Sequence, residues 1–210
     1  LAYVVKELFK TLQGEGAQTG RAAVFCRFSG CNLWSGREAD RADAVCRFCD
    51  TDFLPADGDE DGGRFSSAEA LADVIVRAWD GAAPGFVVFT GGEPLLQLDD
   101  ALLDAAHARG FVCAVETNGT LPAPEKLDWV CVSPKAGAAF VQRSGDELKL
   151  VFPQAGIDPA ALAELDFTHR WLQPMDGLAL RENTQAAIAY CLADPRWRLS
   201  VQTHKALGIR

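Results

Sequence analysis

Seven short apolar runs, most of them ending in a polar or glycine-containing tip, constrain this chain more than any other feature. AAVFCRF (22–28), GFVVFT (85–90), FVCAVET (111–117), DWVCVS (128–133), ELKLVF (147–152), THRWLQ (168–173) and WRLSVQT (197–203) have the length and residue types of strands. Helical patterns lie between them. SSAEALADVIVRAWDG carries Ser66 and Glu69 at capping-box spacing, and LDDALLDAAHARG closes on Gly110. RENTQAAIAYCLAD is a third helix and DPAALAEL a shorter one. Strand and helix in alternation imply parallel pairing with right-handed crossovers. Parallel strands bring their C-terminal ends to one side, so SGCN, TGGEP, ETNG, SPK, QPMD and QTHK are expected to converge on one site. A chance turn accounts for one such tip; six in succession argue for a site. Some crossovers are too short for a full helix, so the expected fold is α/β, an incomplete TIM-like βα barrel.

Composition narrows the function. The 210 residues are 49% apolar with no compositional break, which predicts a single domain over 1–210. A net charge of -9 and the absence of a Lys/Arg run argue against nucleic acid, because phosphate neutralisation needs clustered cations. Small molecules or proteins are the expected partners. The apolar stretches fall short of the roughly 20 residues that a membrane span requires. LAYVVKELFKTLQGEG shows no cationic segment followed by a cleavage site, so a cytoplasmic location is expected.

The seven cysteines do not suggest a disulfide framework, because the count is odd and cytosolic thiols are kept reduced. Cys113, Cys131 and Cys191 lie in strand-like or helical apolar patterns and read as small buried hydrophobes. The stretch from Cys31 to Cys49 is different. Cys31, fourteen residues, then Cys46-x-x-Cys49 leaves three readings open. Structural zinc would take Cys26 as a fourth ligand. An iron-sulfur cluster would use three thiolates and leave one iron accessible. The thiols could also be metal-free. Against zinc, Cys26 sits inside an alternating strand and shares its face with Val24 and Phe28, whereas Cys31 follows Gly30 just beyond the strand end.

GCN followed by CRFCDT, with TGGEP on the next strand and ETNG on the one after, resembles the radical S-adenosylmethionine superfamily. The usual spacing there is C-x3-C-x2-C. The expanded C-x14-C-x2-C form, with LQGEG near the start, QPMD near the end and a terminal QTHK, is similar to the 7-carboxy-7-deazaguanine synthase family, from about residue 7 onward. The resemblance implies the barrel of the radical SAM type, a cluster-binding loop insertion around 32–45 and a [4Fe-4S] cluster on Cys31, Cys46 and Cys49. The open iron would be chelated by the methionyl group of S-adenosyl-L-methionine. Reduction potentials of such clusters reach about -700 mV, so a low-potential donor such as a flavodoxin is implied. Phe25, Phe48 and Phe53 would supply an apolar shell.

The same resemblance distributes the remaining tips. Phe48, Gly92, Glu93, Glu116, Asn118, Ser133, Pro134, Lys135, Gln173, Pro174, Met175 and Asp176 would face S-adenosyl-L-methionine. The implied substrate is 6-carboxy-5,6,7,8-tetrahydropterin, contracted with loss of ammonia to 7-carboxy-7-deazaguanine. Its guanidine-like edge needs carboxylate and amide partners, which Leu12, Gln13, Gly14 and Glu15 would offer. Arg27, opposite in direction to Cys26, would meet the substrate carboxylate. Thr90, His204 and Arg210 complete the expected pocket. Thr51 offers a hydroxyl for Mg2+, a metal that takes oxygen ligands and shares them with substrate. An incomplete barrel leaves edges to cover, so a homodimer is expected.

Two other readings remain. Another small radical enzyme, such as an activase of a protein partner, would share the cysteines and TGGEP but have no use for LQGEG, Arg27 and QTHK. A zinc-stabilised binding module would be colourless, whereas a cluster protein is brown. Cys26→Ala separates three ligands from four: iron content, measured after anaerobic reconstitution, should stay at about four per chain. Loss of the cluster would restore the four-cysteine reading.

Overall fold

The computed structural model describes residues 2–54, 62–82 and 84–210. Its strands are β1 (Tyr3–Leu12), β2 (Ala22–Phe28), β3 (Gly63–Phe65), β4 (Gly85–Gly91), β5 (Phe111–Thr117), β6 (Trp129–Val132), β7 (Ser144–Phe152), β8 (Asp166–Pro174) and β9 (Arg198–Leu199). The helices are α1 (Ala68–Trp79), α2 (Asp100–His107), α3 (Pro159–Leu162), α4 (Leu180–Ala193) and α5 (Thr203–Leu207). All nine strands form one sheet in the order β3-β1-β2-β4-β5-β6-β7-β8-β9. From β2 to β9 every pairing is parallel, and β1 joins β2 and β3 antiparallel. The sheet does not close, as expected of an incomplete barrel.

Helices α1, α2 and α4 cover one face of this sheet. Leu71, Ala72 and Ile75 of α1 and Leu102, Leu103 and Ala106 of α2 pack over Val24, Cys26, Phe28, Val87, Phe89, Cys113 and Val115. Ala187 of α4 and Trp197 cover Val132, Leu148, Leu150 and Leu172 in the same way. Strands buried on both sides read as almost continuous apolar runs, which β4 and the first half of β5 do. On the opposite face Ala23, Phe86, Val88 and Ala114 form a smaller cluster with Phe25 and Trp129. It floors the concave side.

Several elements differ from the sequence expectation. β1 was not expected, because its buried residues are Tyr3, Val5 and Leu8, and a register shift between Val5 and Glu7 breaks the period-two pattern. The α1 cap is Ser67 rather than Ser66. The Ser67 hydroxyl accepts the Ala70 amide at 3.2 Å, so the helix starts one residue later and Glu69 falls in its first turn without closing the box. The last run is the largest departure. Only Arg198 and Leu199 pair with β8, and QTHK is not a strand tip but the start of α5. After Ser200 the chain leaves the sheet, and the Thr203 amide donates to Gly14 O at 3.0 Å.

Candidate active site

Alternation along the parallel strands decides which side chains enter the concave face. Residues next to the helix-facing core positions point inward, and toward the C-terminal ends these are Arg27, Thr90, Glu116, Cys131, Lys149 and Gln173, all lining one cavity of about 460 Å³. Register sets neighbours: Arg27 lies opposite Thr90, and Glu116 opposite Cys131. Cys26 is fully buried among the α1 and α2 contacts, which leaves Arg27 to the cavity. Cys31, Cys46 and Cys49 line the same space.

The fourteen-residue gap is closed by backbone bonds. Leu33 O accepts the amides of Val45 at 3.1 Å and Cys46 at 3.3 Å, so the intervening chain leaves and returns at one point. Within it, residues Glu38–Asp43 form 3-10 turns, and Arg41 lies 4.1 Å from the centre of the Trp34 ring. The same guanidinium donates to the carbonyls of Arg47, at 2.8 Å, and Cys49, at 3.1 Å, pinning the C-x-x-C to the excursion. Trp34 meets Phe53 edge-on at 5.5 Å, and Phe25, Phe48 and Phe53 line the cavity as an apolar shell.

The donor set suits a cluster better than a lone ion. A hydrogen bond from Cys46 is the main cause holding Cys49 down at about 6, against the effect of burial, while the same bond and burial push Cys46 upward. Burial raises Cys31. Among the described residues, only His107, Cys113 and Asp128 bring three such donors within 4.8 Å of one another. Asp128 already accepts from the Cys113 amide and pairs with His107. Cys31, Cys46 and Cys49 do not all lie that close together, and three thiols opening into one cavity leave room for a group larger than one ion.

Glu93 zips the neighbouring tips together. It is fully buried, its amide donates to Gly30 O at 2.9 Å, and its carboxylate accepts from Thr117 Oγ1 at 2.7 Å, the Asn118 amide at 2.8 Å and the Leu95 amide at 3.0 Å. Burial raises its pKa and those donors pull it back. Neither Glu93, whose carboxylate is taken up by these donors, nor Pro134 lines the cavity. The other twenty-two expected site residues do line it. Lys135, which sequence alone could equally place in solvent, turns inward with Nζ on Ser133 Oγ at 2.7 Å, and burial lowers its pKa.

The opposite wall carries polar groups that no motif announced. Glu7 pairs with Arg27 at 2.7 Å and with Arg210 at 2.6 Å, and Lys6 pairs with Asp52 at 3.0 Å beside Thr51. Lys205 bridges Asp50, at 2.7 Å, and Asp176, at 2.5 Å, joining the cluster loop to the QPMD tip. Lys149 contacts Glu15 and Glu116. Alternation could have found it, since Leu148 and Leu150 belong to the helix face. His204 lies against Gly14, where a Cβ has no room.

The chain is similar to known proteins along its whole length. The Radical SAM superfamily profile matches residues 41–132, a span that includes Cys46 and Cys49 and begins after Cys31. The chain is 64% identical over 210 residues to a 7-carboxy-7-deazaguanine synthase of Bordetella pertussis, covering 100% of both. It is 64% identical over 210 residues to that of Caulobacter vibrioides, again covering 100% of both. The crystal structure of QueE from Escherichia coli matches with a TM-score of 0.72 and 31% identity, over 97% of this chain and 95% of that one.

The contact between the two loops is testable at Gly92, where a Cβ would run into the carbonyl oxygen of Gly30 and the Cβ of Cys31. Gly92→Ala should separate TGGEP from the cysteine loop and weaken S-adenosylmethionine binding by about tenfold or more, as one lost backbone hydrogen bond implies. Calorimetry on cluster-loaded protein measures it; unchanged affinity would show that the close approach is not needed.

Proposed function

The chain belongs to the 7-carboxy-7-deazaguanine synthase family of the Radical SAM superfamily, and from that footing we propose that it converts 6-carboxy-5,6,7,8-tetrahydropterin to 7-carboxy-7-deazaguanine and ammonia. The atoms balance, because substrate less ammonia is product, so the net ring contraction needs no external oxidant. One observation carries the reading: Cys31, Cys46 and Cys49 open into the same cavity as Glu15, Glu116 and Arg27. When bound, the [4Fe-4S] cluster supplies the electron that cleaves S-adenosylmethionine to a carbon radical.

The chain's own residues bind, orient and exclude water. Cys31, Cys46 and Cys49 offer thiolates, and Gly91 and Gly92 let backbone approach the methionyl group. Asn118, Ser133, Lys135 and residues 173–176 form the nucleoside wall. Gln13 and Glu15 present acceptors to the N–H edge of a pterin, and Glu116, expected at S-adenosyl-L-methionine, joins them because Gln13 and Lys149 tie it to Glu15. Arg27 offers a guanidinium to the substrate carboxylate, with its Nε held by Glu7 at 2.7 Å so that the fork keeps one orientation. Phe25, Phe48 and Phe53 limit water near the thiolates.

Thr51, which lines the cavity, would hold Mg2+ through its hydroxyl as one hard oxygen, with the substrate carboxylate supplying more. A low-potential protein such as a flavodoxin is the inferred electron donor, and a homodimer would cover the edges of the open sheet. Among the described residues no helix is long and apolar enough to cross a membrane.

The test is anaerobic incubation with S-adenosylmethionine, reductant and the carboxytetrahydropterin, followed by mass analysis for the deazaguanine acid; cluster-loaded protein that forms none would sink the reading. Thr51→Ala should lower turnover and remove its dependence on added Mg2+ while leaving iron content intact. An unchanged magnesium response would remove Thr51 from the metal site.

A further inference from the structure

Lys149 is a buried cation for which no role has been derived above. Its side chain is 6% exposed on the inward face of β7, with Nζ 2.5 Å from Glu15 Oε2 and 3.4 Å from Glu116 Oε2. The remaining oxygens of the two carboxylates are also held: Gln202 Nε2 donates to Glu15 Oε1 at 3.0 Å, and Gln13 Nε2 donates to Glu116 Oε1 at 2.8 Å. The result is one chain of contacts, Gln202–Glu15–Lys149–Glu116–Gln13, drawn from the turn after β1, from β5, from β7 and from the segment entering α5. Other charged or titratable groups act on it from around the pocket. His204 acts on Glu15, Cys131 and Lys135 lie within reach of Lys149, and Glu147 is held by the Ala17 amide and Trp129.

We propose that Lys149 is a positioning residue that holds the Glu15 and Glu116 carboxylates as a fixed pair of acceptors, and so sets the affinity for the donor edge of the pterin. The inference rests on the functional reading above. Without the cation, two carboxylates would face each other in a poorly solvated pocket, and protonating one replaces an acceptor by an O–H that opposes the N–H edge of the ligand. The direction of the Glu15 shift agrees: burial alone would raise it, yet the charge and hydrogen bond of Lys149 hold it well below the usual range.

The experiment is calorimetric titration of cluster-loaded protein with the carboxytetrahydropterin, with S-adenosylmethionine present and no reductant, across a range of pH. Lys149→Met should weaken binding by about thirtyfold or more near neutrality. Because its loss removes what holds the Glu15 pKa down, the acid limb of binding should move to higher pH. Lys149→Arg keeps the charge and should keep the limb where the wild type has it. Lys149→Met that binds within about twofold of wild type with an unmoved limb overturns the proposal. If Lys149→Met fails to load the cluster, Lys149→Arg decides: a limb at the wild-type position supports the proposal, and a displaced limb at normal iron content overturns it. A wild-type protein that binds no pterin fails the functional reading and this proposal together, whereas wild-type binding beside an indifferent variant fails the proposal alone.

Discussion

The buried Glu93 carboxylate is the interaction on which the arrangement of the site depends. Its main chain holds Gly30, one residue before Cys31, and its side chain holds Thr117 and Asn118, so the ends of β2, β4 and β5 are fastened at one point. A carboxylate removed from water is costly unless its lone pairs are occupied, and three donors occupy them here. This network is a positional device that makes three separate strand ends into one wall. The cysteine excursion then needs only the two amide bonds to Leu33 O and the reach of Arg41 to bring Cys46 and Cys49 beside Cys31.

A second constraint is the period-two alternation of a sheet with helices on one face. Wherever a strand residue packs under α1, α2 or α4, its neighbours must face the cavity, and these are apolar toward the floor and polar toward the C-terminal ends. Phe86, Val88 and Ala114 give way to Thr90 and Glu116 along the same strands. The chemistry is therefore held on regular backbone rather than on loops alone, which fixes side-chain directions with little added ordering. Charges that would be costly to bury singly appear as pairs and bridges, with Glu7 between Arg27 and Arg210 and Lys149 between Glu15 and Glu116.

How much was legible follows from which signals are local. β2, β5 and the turn residues TGGEP and ETNG announced themselves, because strand composition and glycine punctuation act over a few residues. Cys26 and Arg27 were assigned opposite faces from alternation, and the fold agrees. β1 was hidden by its irregular register, and QTHK lost its strand because the chain turns away to meet Gly14, a contact about 190 residues distant in sequence that no window can contain. Glu93 was expected at the tip of its strand, and its carboxylate is taken up there by Thr117, Asn118 and Leu95. Its motif fixes its place on the chain but not which of its neighbours need a buried acceptor.

The sequence alone determined the class of the fold, the three-cysteine spacing, the convergence of the strand ends and the family they resemble, because each rests on order along the chain and on side-chain type. Tertiary structure decided which polar groups share a partner. Lys149, Glu7 and Lys205 look like ordinary charges in a strand or helix until pairing across the sheet sets each between two oppositely charged groups, and that pairing depends on distances through space that residue order does not encode.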